Sequence, residues 1–363
     1  MNNKKQTTDD LKDLHAEFDI EVGIKNKQKL QSEKDIIFPS YINGLQVTTI
    51  LSDAVNKIDG PETVFIPKTV RVIEQHAFYE CENLKEVIFE EGSNLEEIKE
   101  LAFCDCINIE SITIPKTVTE ISVMAFAGCH SLRQVTFEEN SKLRRINSQA
   151  FSENYNLVDF IFPKSVETLE DNVFYDCFNL TEITIPKTLR FVHPLAFAGS
   201  GFKKIIIEDG IKAMDYIFFT SAINLETLVI PATVNKINTE MLINLPAIKE
   251  YDVAPDNNYF TSINGVLYTK DKETLVKFPE GLSGVYKVPS GVRRIGELAF
   301  TDVRKITRII LPSSIEEVGK NSFVDCENLE IHTSLTSLDN IFEDNWTNNE
   351  IKVIYTQEGN SYE

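Results

Sequence analysis

The sequence predicts a solenoid of stacked repeats that takes up most of the chain. An aromatic or aliphatic residue recurs at a nearly constant interval, most often every 23 residues, with two longer steps of 25. We call these residues the ring column: Val55, Phe78, Phe103, Phe126, Phe151, Phe174, Phe197, Phe219, Leu242, Phe300 and Phe323. A fixed period of this length indicates a repeat architecture in which each unit packs against its neighbours. We therefore predict one continuous solenoid over residues 36–330.

Other positions keep register with the ring column. A proline precedes most of its members by eleven residues, aliphatic residues precede them by eight and by five, and a small residue often comes immediately before. In one repeat these residues are Pro115, Val118, Ile121 and Ala125. A segment such as 132–137, LRQVTF, alternates apolar and polar residues as a half-buried strand does, and proline ends a strand because it has no amide hydrogen to donate. One repeat cannot bury its ring alone, so neighbouring repeats must stack.

The departures from the period predict loops. The segments 89–95 (FEEGSNL) and 137–143 (FEENSKL) replace the shorter IPKTV turn with two additional residues. Between Leu242 and Phe300 the step is much longer, and the additional sequence predicts a β-hairpin insert over 257–281. Asn264-Gly265 is a strong hairpin signal there, and KDKE at 270–273 predicts a second turn.

The two ends of the chain are predicted to differ from the repeats. Residues 1–13 are expected to form a flexible lead, and 14–35 an N-terminal β cap in which Phe18, Ile20, Val22 and Ile24 alternate with polar residues. Residues 331–363 are expected to form a C-terminal cap with a strand at Ile351–Tyr355, and Trp346 to pack within it. Solenoids need such caps because their terminal repeats would otherwise leave an apolar surface open.

Five of the six cysteines share one position, three residues after the ring column. They are Cys81, Cys106, Cys129, Cys177 and Cys326, while Asn154, Ser200 and Ala222 take the same place in other repeats. We interpret this position as a ladder of small buried residues, in which a free cysteine acts as a small hydrophobic side chain. A metal site is not predicted, because Cys104 and Cys106 form only a C-x-C pair and no histidine cluster completes it.

Composition and motifs exclude several classes of function. A net charge of −20 argues against nucleic acid as a partner, since phosphate binding requires clustered lysine and arginine. No apolar run approaches the length of a membrane span, and no apolar segment of a secretory signal follows the basic residues near the start. The five histidines are scattered and no catalytic or nucleotide-binding motif is present. We therefore expect no enzyme activity, no cofactor and no metal.

The repeat resembles the BspA-like, or treponemal-type, class of leucine-rich repeats. The matching features are those of 179–197 (NLTEITIPKTLRFVHPLAF), namely IP, a spaced aliphatic pair and AF, with a cysteine three residues later in five repeats. The insert 260–279 resembles a hairpin found between repeats in that family. The resemblance implies a curved leucine-rich repeat solenoid of about 11–12 repeats of 23–25 residues. It also implies a parallel β-sheet on the concave face and short extended or 3-10 segments elsewhere.

The same resemblance bears on function and location. The family is associated mainly with cell-surface adhesion to host matrix proteins and to other microbes. A cell-surface or secreted location is therefore expected, with the cytoplasm as the alternative because no signal peptide is predicted. The hypothesis is a non-enzymatic, monomeric, adhesion-type scaffold that binds a protein, such as an extracellular-matrix or surface protein. The runner-up is an intracellular scaffold or effector of the same fold.

The candidate binding residues are the outward positions of the predicted strands. The first outward column holds Glu86, Ser111, Gln134, Asp159, Glu182 and Lys204. The second holds Thr113, Thr136, Ile161, Thr184 and Ile206. Extended surfaces of this kind commonly bind partners in solenoids, although strand propensity and solvation alone also explain such residues. These columns contain no aromatic or arginine cluster of the kind that dominates binding energy, and the hairpin insert is the other candidate surface.

Overall fold

The computed structural model describes residues 20–22, 34–57, 60–215, 219, 221–337, 341, 347 and 351–356. The chain divides into two compact units, unit 1 (residues 1–201) and unit 2 (residues 202–363). The predicted lead 1–13, Phe18, Ile24 and Trp346 lie outside the described residues, as does most of the predicted cap 14–35.

Unit 1 is a parallel β-solenoid in which longer and shorter strands alternate along the chain. Its strands are β1 (Ile20–Val22), β2 (Asp35–Ile37), β3 (Tyr41–Ile42), β4 (Leu45–Ile50), β5 (Thr63–Ile66), β6 (Val72–Ile73), β7 (Glu86–Phe89), β8 (Glu97–Ile98), β9 (Ser111–Ile114), β10 (Glu120–Ile121), β11 (Gln134–Phe137), β12 (Arg145–Ile146), β13 (Asp159–Phe160), β14 (Thr168–Leu169), β15 (Glu182–Ile185) and β16 (Phe191–Val192). The shorter strands join β1 and the six-residue β4 in one sheet of the order β1-β4-β6-β8-β10-β12-β14-β16, with β3 paired to β4. The longer strands form the sheets β2-β5-β7 and β9-β11-β13.

Unit 2 repeats this alternation and adds antiparallel strands. Its elements are β17 (Lys204–Ile207), β18 (Ala213–Met214), β19 (Thr227–Ile230), β20 (Lys236–Ile237), the 3-10 helix η1 (Thr239–Leu242), β21 (Glu250–Val253), β22 (Phe260–Ile263), β23 (Val266–Thr269), β24 (Thr274–Lys277), β25 (Gly284–Lys287), β26 (Arg294–Ile295), β27 (Ile306–Leu311), β28 (Glu317–Val318), β29 (Glu330–Thr333) and β30 (Lys352–Tyr355). Strands β22, β23 and β24 are successive antiparallel neighbours, after which β24 pairs in parallel with β26.

The longer strands bury every second side chain, as their alternation predicts. In β9, Ile112 and Ile114 are buried while Ser111 and Thr113 are exposed. After β9 the chain turns at Pro115, whose carbonyl accepts from the amide of Val118. The chain then enters the shorter strand β10, whose Ile121 is also buried. Each coil of unit 1 therefore has apolar side chains entering one core from both sheets.

The ring column closes each coil and forms a continuous stack of phenyl rings in unit 1. Successive centroids from Phe78 to Phe103, Phe126 and Phe151 are 4.8, 5.2 and 5.6 Å apart, with the planes within 5° of parallel. The next pair, Phe151 and Phe174, is 6.3 Å apart. All five rings are fully buried. Each ring is thus covered on its faces by the neighbouring repeats.

Backbone hydrogen bonds join the same turns from repeat to repeat. The amides of Leu101, Phe103 and Asp105 donate to the carbonyls of Val123, Ala125 and Ala127 at 3.0, 2.8 and 2.8 Å. Leu101 and Asp105 have φ values of 56° and 59°. We call this segment around each ring residue the ring turn. Every second amide in it points toward the next repeat, so the ring turns form a third ladder of hydrogen bonds beside those of the two kinds of strand.

The cysteine position provides a hydrogen-bond donor, which the expectation of a purely apolar ladder omitted. The Sγ atoms of Cys81, Cys106, Cys129, Cys177 and Cys326 donate to the carbonyls of Val55, Phe78, Phe103, Phe151 and Phe300 at 3.0–3.2 Å. Asn154 takes the same role with Nδ2, which donates to the carbonyl of Phe126 at 2.9 Å. All six cysteines are free and buried. Burial raises the pKa of the Cys177 thiol to about 12, so the neutral thiol is the donor.

Phe278 belongs to the ring column of unit 2, although the sequence pattern places no member between Leu242 and Phe300. Its ring lies 5.0 Å from that of Phe300, which lies 5.0 Å from that of Phe323. The amide of Phe278 donates to the carbonyl of Ala299 at 2.8 Å, as in the other ring turns. The chain thus completes an ordinary ring turn directly after β24.

A buried ion pair accompanies this turn. Lys277 stands where other repeats have a small residue, and its Nζ donates to the carbonyls of Leu298 and Thr301 at 3.0 and 3.4 Å. Nζ also lies 3.8 Å from Oε1 of Glu280, whose Oε2 accepts from the amide of Leu245 at 2.6 Å. Both side chains are almost completely buried. Burial raises the pKa of Glu280 to about 7, while Lys277 acts in the opposite direction.

We predict that replacing Phe126 with alanine lowers the free energy of unfolding by about 3–5 kcal/mol, because it opens a cavity between the rings of Phe103 and Phe151. Thermal and denaturant melts of Phe126→Ala measure this loss. Val123→Ala is the matched control, since that exposed side chain lies in the same repeat and should change stability by less than about 0.5 kcal/mol. Equal stability of the two variants would contradict the stacking described above.

We predict that Glu280 makes unit 2 less stable as pH rises from about 4.5 to about 7. The folded pKa is raised above the unfolded value of 4.5, so the unfolded chain releases this proton first and gains stability relative to the folded chain over that interval. Relative to Glu280→Gln, wild type should lose roughly 2–3 kcal/mol across it. Denaturant melts at a series of pH values provide the measurement.

Glu273→Gln is the control, because Glu273 is an exposed carboxylate of the hairpin insert 257–281. This variant should retain the wild-type pH dependence of stability. Glu280 faces the charges of Lys277, Asp302 and Arg304, and these remain in both variants. The assignment is wrong if Glu280→Gln and wild type show parallel stability curves between pH 4.5 and 7.

Candidate interaction surface

The structure aligns the predicted outward residues of unit 1 in two columns along the longer strands. In the first column, Ser111 pairs with Gln134 and Gln134 with Asp159; the neighbouring sheet pairs Thr63 with Glu86. The second column pairs Thr113 with Thr136 and Phe65 with Ile88. Glu182 and Thr184 are outward residues of β15. Of the nine predicted binding residues of unit 1, eight are exposed and Thr136 is half-buried.

In unit 2 the corresponding residues are less exposed. Lys204 and Ile206 are half-buried, and they pair with Thr227 and Val229 of β19. Further along, Glu330 lies 3.8 Å from Arg308 and 2.8 Å from Lys352 across neighbouring strands. The hydrogen bond from Lys352, and to a smaller extent the one from His332, lowers the pKa of Glu330 to about 2. These charges are satisfied within the protein, which makes this stretch a weaker candidate for a binding surface.

A groove interrupts the outward face of unit 1 where β13 ends. The ladder between β11 and β13 stops at Val135 and Phe160, after two residue pairs. The groove has a volume of about 680 Å³ and is lined by residues 134–141, Asp159 and residues 161–165. Its wall includes Ile161, which is 72% exposed and is the most exposed large apolar side chain of the described chain. A concave surface that combines apolar lining with a few polar groups is typical of binding sites.

Local packing explains the short strand. Each of the strands β5, β7, β9, β11 and β15 has at least one aliphatic inward residue, whereas both inward residues here, Phe160 and Phe162, are phenylalanine. Their rings make edge contacts with each other at 5.1 Å and with Phe174 at 4.9 and 6.2 Å. Phe160 also lies 5.2 Å from Phe151. Two phenyl rings therefore fill the core below β13, and the chain that follows turns away from the ladder of β11.

Sequence reasoning missed an aromatic cluster that lies outside the two columns. The rings of His130 and Tyr155 stack at 4.7 Å, and those of Tyr155 and Phe178 stack at 5.8 Å. Each of these residues lies four positions after a member of the ring column, so the period itself carries the signal. The two outward columns contain no aromatic cluster, but the surface as a whole does.

The described residues were compared with the requirements of a metal site and of a membrane span. They contain no group of three or more histidine, cysteine, aspartate or glutamate side chains placed to hold a metal ion. None of these segments forms a helix with the length and hydropathy that a membrane crossing requires. The geometry is that of a repeat scaffold with an exposed sheet, a groove and an aromatic cluster.

Comparison with sequence families gives the assignment. The model for the BspA-type leucine-rich repeat region matches residues 48–178, 144–263 and 284–362, with six copies. The chain belongs to the BspA-type leucine-rich repeat family. The predicted fold class, a leucine-rich repeat solenoid, is confirmed. The fold and family are those of a protein-interaction scaffold.

Solved structures similar to this BspA-type chain include three bacterial proteins. A leucine-rich repeat protein from Bacteroides ovatus is 21% identical with a TM-score of 0.48, covering 94% of this chain and 96% of that one. A leucine rich cell surface protein from Faecalibacterium prausnitzii is 22% identical with a TM-score of 0.41, covering 88% and 73%. The pneumococcal vaccine antigen PcpA is 21% identical with a TM-score of 0.31, and the match covers 87% of this chain and 66% of that chain. A search of curated proteins finds no match.

Proposed function

We propose that the protein is an adhesion-type scaffold that binds a surface or extracellular-matrix protein through the outward face of the longer strands in unit 1. The observation that carries this proposal is the groove at β13, where Ile161 is 72% exposed. Burying that side chain against a partner removes apolar area from water, which favours association. No reaction is part of the proposal, since binding alone accounts for the features of this face.

The surroundings of Ile161 supply polar groups for orientation. Gln134 and Asp159 pair across β11 and β13 on the same face, and Lys164 also lines the groove. Charged groups at the rim of an apolar contact set the register and the rate of association more than its affinity. The face beside the groove is held in shape by a hydrogen bond of 2.7 Å between the hydroxyls of Thr113 and Thr136. A partner would therefore meet a surface that is already ordered.

A binding assay with paired isoleucine variants tests the proposal. Wild type, Ile161→Ser and Ile88→Ser are compared for binding to a panel of purified extracellular-matrix proteins immobilised on a sensor surface. We predict that Ile161→Ser weakens binding to the responding matrix protein about tenfold or more, because it removes the apolar contact at the groove. Ile88→Ser is the matched control: Ile88 is 37% exposed in the second outward column but lies away from the groove.

Loss with Ile161→Ser and near-wild-type binding with Ile88→Ser would support the groove. An equal loss in both variants would assign binding to the sheet at large. Undiminished binding by Ile161→Ser, or a panel without any response, would contradict the adhesion proposal. Asp159→Lys and Glu182→Lys then test whether the rim charges orient the partner.

An intracellular scaffold of the same fold is the second candidate. All six cysteines are free, and persistent free thiols are more usual in a reducing compartment. Fractionation of the native organism separates the two candidates, since protein confined to the cytosol would contradict surface adhesion.

A further inference from the structure

We propose that the aromatic cluster of His130, Tyr155 and Phe178 is a second interaction surface, which binds an arginine-bearing basic segment of another protein. The cluster lies outside the two outward columns and the groove. The proposal therefore stands independently of the proposed function.

The stack of His130, Tyr155 and Phe178 ends with one face of the Phe178 ring uncovered. Tyr155 covers one face of Phe178, with the ring centroids 5.8 Å apart. In the following repeat the same position is Gly201, which has no side chain to cover the other face. A Cβ atom there would lie 2.1 Å from the carbonyl oxygen of Phe178, so no other residue fits. Phe178 is consequently 56% exposed although it is large and apolar.

A second exposed ring lies beside it. Tyr175, 43% exposed, passes over Gly199, where an added Cβ atom would lie 2.7 Å from the ring. Glycine at both positions of this repeat therefore leaves the two aromatic side chains of the preceding repeat uncovered. Asp176 lies between them in the chain. The result is an aromatic corner with a carboxylate.

Hydrogen bonds hold the cluster in place before any partner arrives. Nδ2 of Asn156 donates to the carbonyl of His130 at 2.8 Å, and Nδ2 of Asn179 donates to the carbonyl of Tyr155 at 2.7 Å. The backbone that carries the rings is thus fixed from repeat to repeat. Binding to a preformed surface costs less conformational entropy than binding to a mobile one.

The charge at this surface is negative. Oε2 of Glu153 lies 3.5 Å from the hydroxyl of Tyr155. Burial is the largest cause that raises the pKa of Tyr155. The carboxylates of Glu153 and Asp176 raise it further, and Asp105 contributes less. Among the described residues, none of these three carboxylates forms an ion pair. A cation at the corner would therefore meet carboxylates that are available to it.

The combination selects for arginine. A guanidinium group is planar, so it stacks on an aromatic face while its edge donates to a carboxylate. Phe178 is exposed and Asp176, two residues before it, is half-buried, so we expect the ring face and the carboxylate to offer these two contacts together. Lysine would gain the charge interaction but not the planar stacking.

The test uses a synthetic peptide of alternating arginine and glycine, its lysine counterpart and its glutamate counterpart, titrated calorimetrically into the full chain at low ionic strength. We expect the arginine peptide to bind more tightly than the lysine peptide and the glutamate peptide not to bind. Phe178→Ala and Asp176→Asn should each weaken the arginine peptide about 3- to 10-fold. Phe178→Tyr should bind as wild type does.

Phe191→Ala is the matched control, because Phe191 is 45% exposed on the shorter strand β16, and it should change binding by less than twofold. A thermal melt of each variant confirms that it is folded. Unchanged binding by Phe178→Ala would mean that the peptide responds only to the overall negative charge, and it would overturn the proposal. Equal affinity for the arginine and lysine peptides would overturn the assignment to arginine.

Discussion

The burial of one aromatic ring per coil is the constraint on which the rest of the structure depends. A single repeat leaves both faces of its ring open, so the ring is dry only when a repeat lies on each side. In unit 1 the rings from Phe78 to Phe151 meet this requirement as parallel stacks about 5 Å apart. The strands on the two other sides of the coil are subject to the same constraint, because the distance between neighbouring strands must match the distance between neighbouring rings.

The ring turn also explains why a cysteine so often follows. The carbonyl of each ring residue points into a dry core, where a polar group needs a donor. A thiol such as that of Cys129 is small enough to fit below the ring and polar enough to donate to the carbonyl of Phe103. Asn154 meets the same need with an amide. Size and donor capacity together select the residues at this position.

The sequence predicts the elements that repeat better than those that occur once. Alternation in β9 and β11 is sufficient to assign Ser111, Thr113 and Gln134 to the outward face, because one periodicity determines both burial and direction. The sequence pattern does not reveal Phe278. Lys277 precedes it where most repeats have alanine, and no cysteine follows it three residues later. A buried ion pair takes their place, and its stability depends on three-dimensional contacts with Leu245, Leu298 and Thr301.

The period could have shown the alignment of His130, Tyr155 and Phe178, but neither the groove nor the exposure of Phe178 follows from a single repeat. The groove depends on where the ladder of β13 ends, which is decided by how Phe160 and Phe162 pack. The corner depends on Gly201, whose missing side chain exposes a ring in the preceding repeat. Both features therefore arise from the contact between two repeats, at positions that the repeat pattern leaves variable.

Hydrogen–deuterium exchange at individual amides tests most directly the claim that the ring turn holds the stack together. The amides of Leu101, Phe103 and Asp105 donate across repeats beneath buried rings, so they should exchange only as fast as unit 1 unfolds. The exposed amides of the loop at residues 139–140 should exchange orders of magnitude faster. Exchange at Phe103 as fast as in that loop would show that the ring turns open independently, and it would contradict the account.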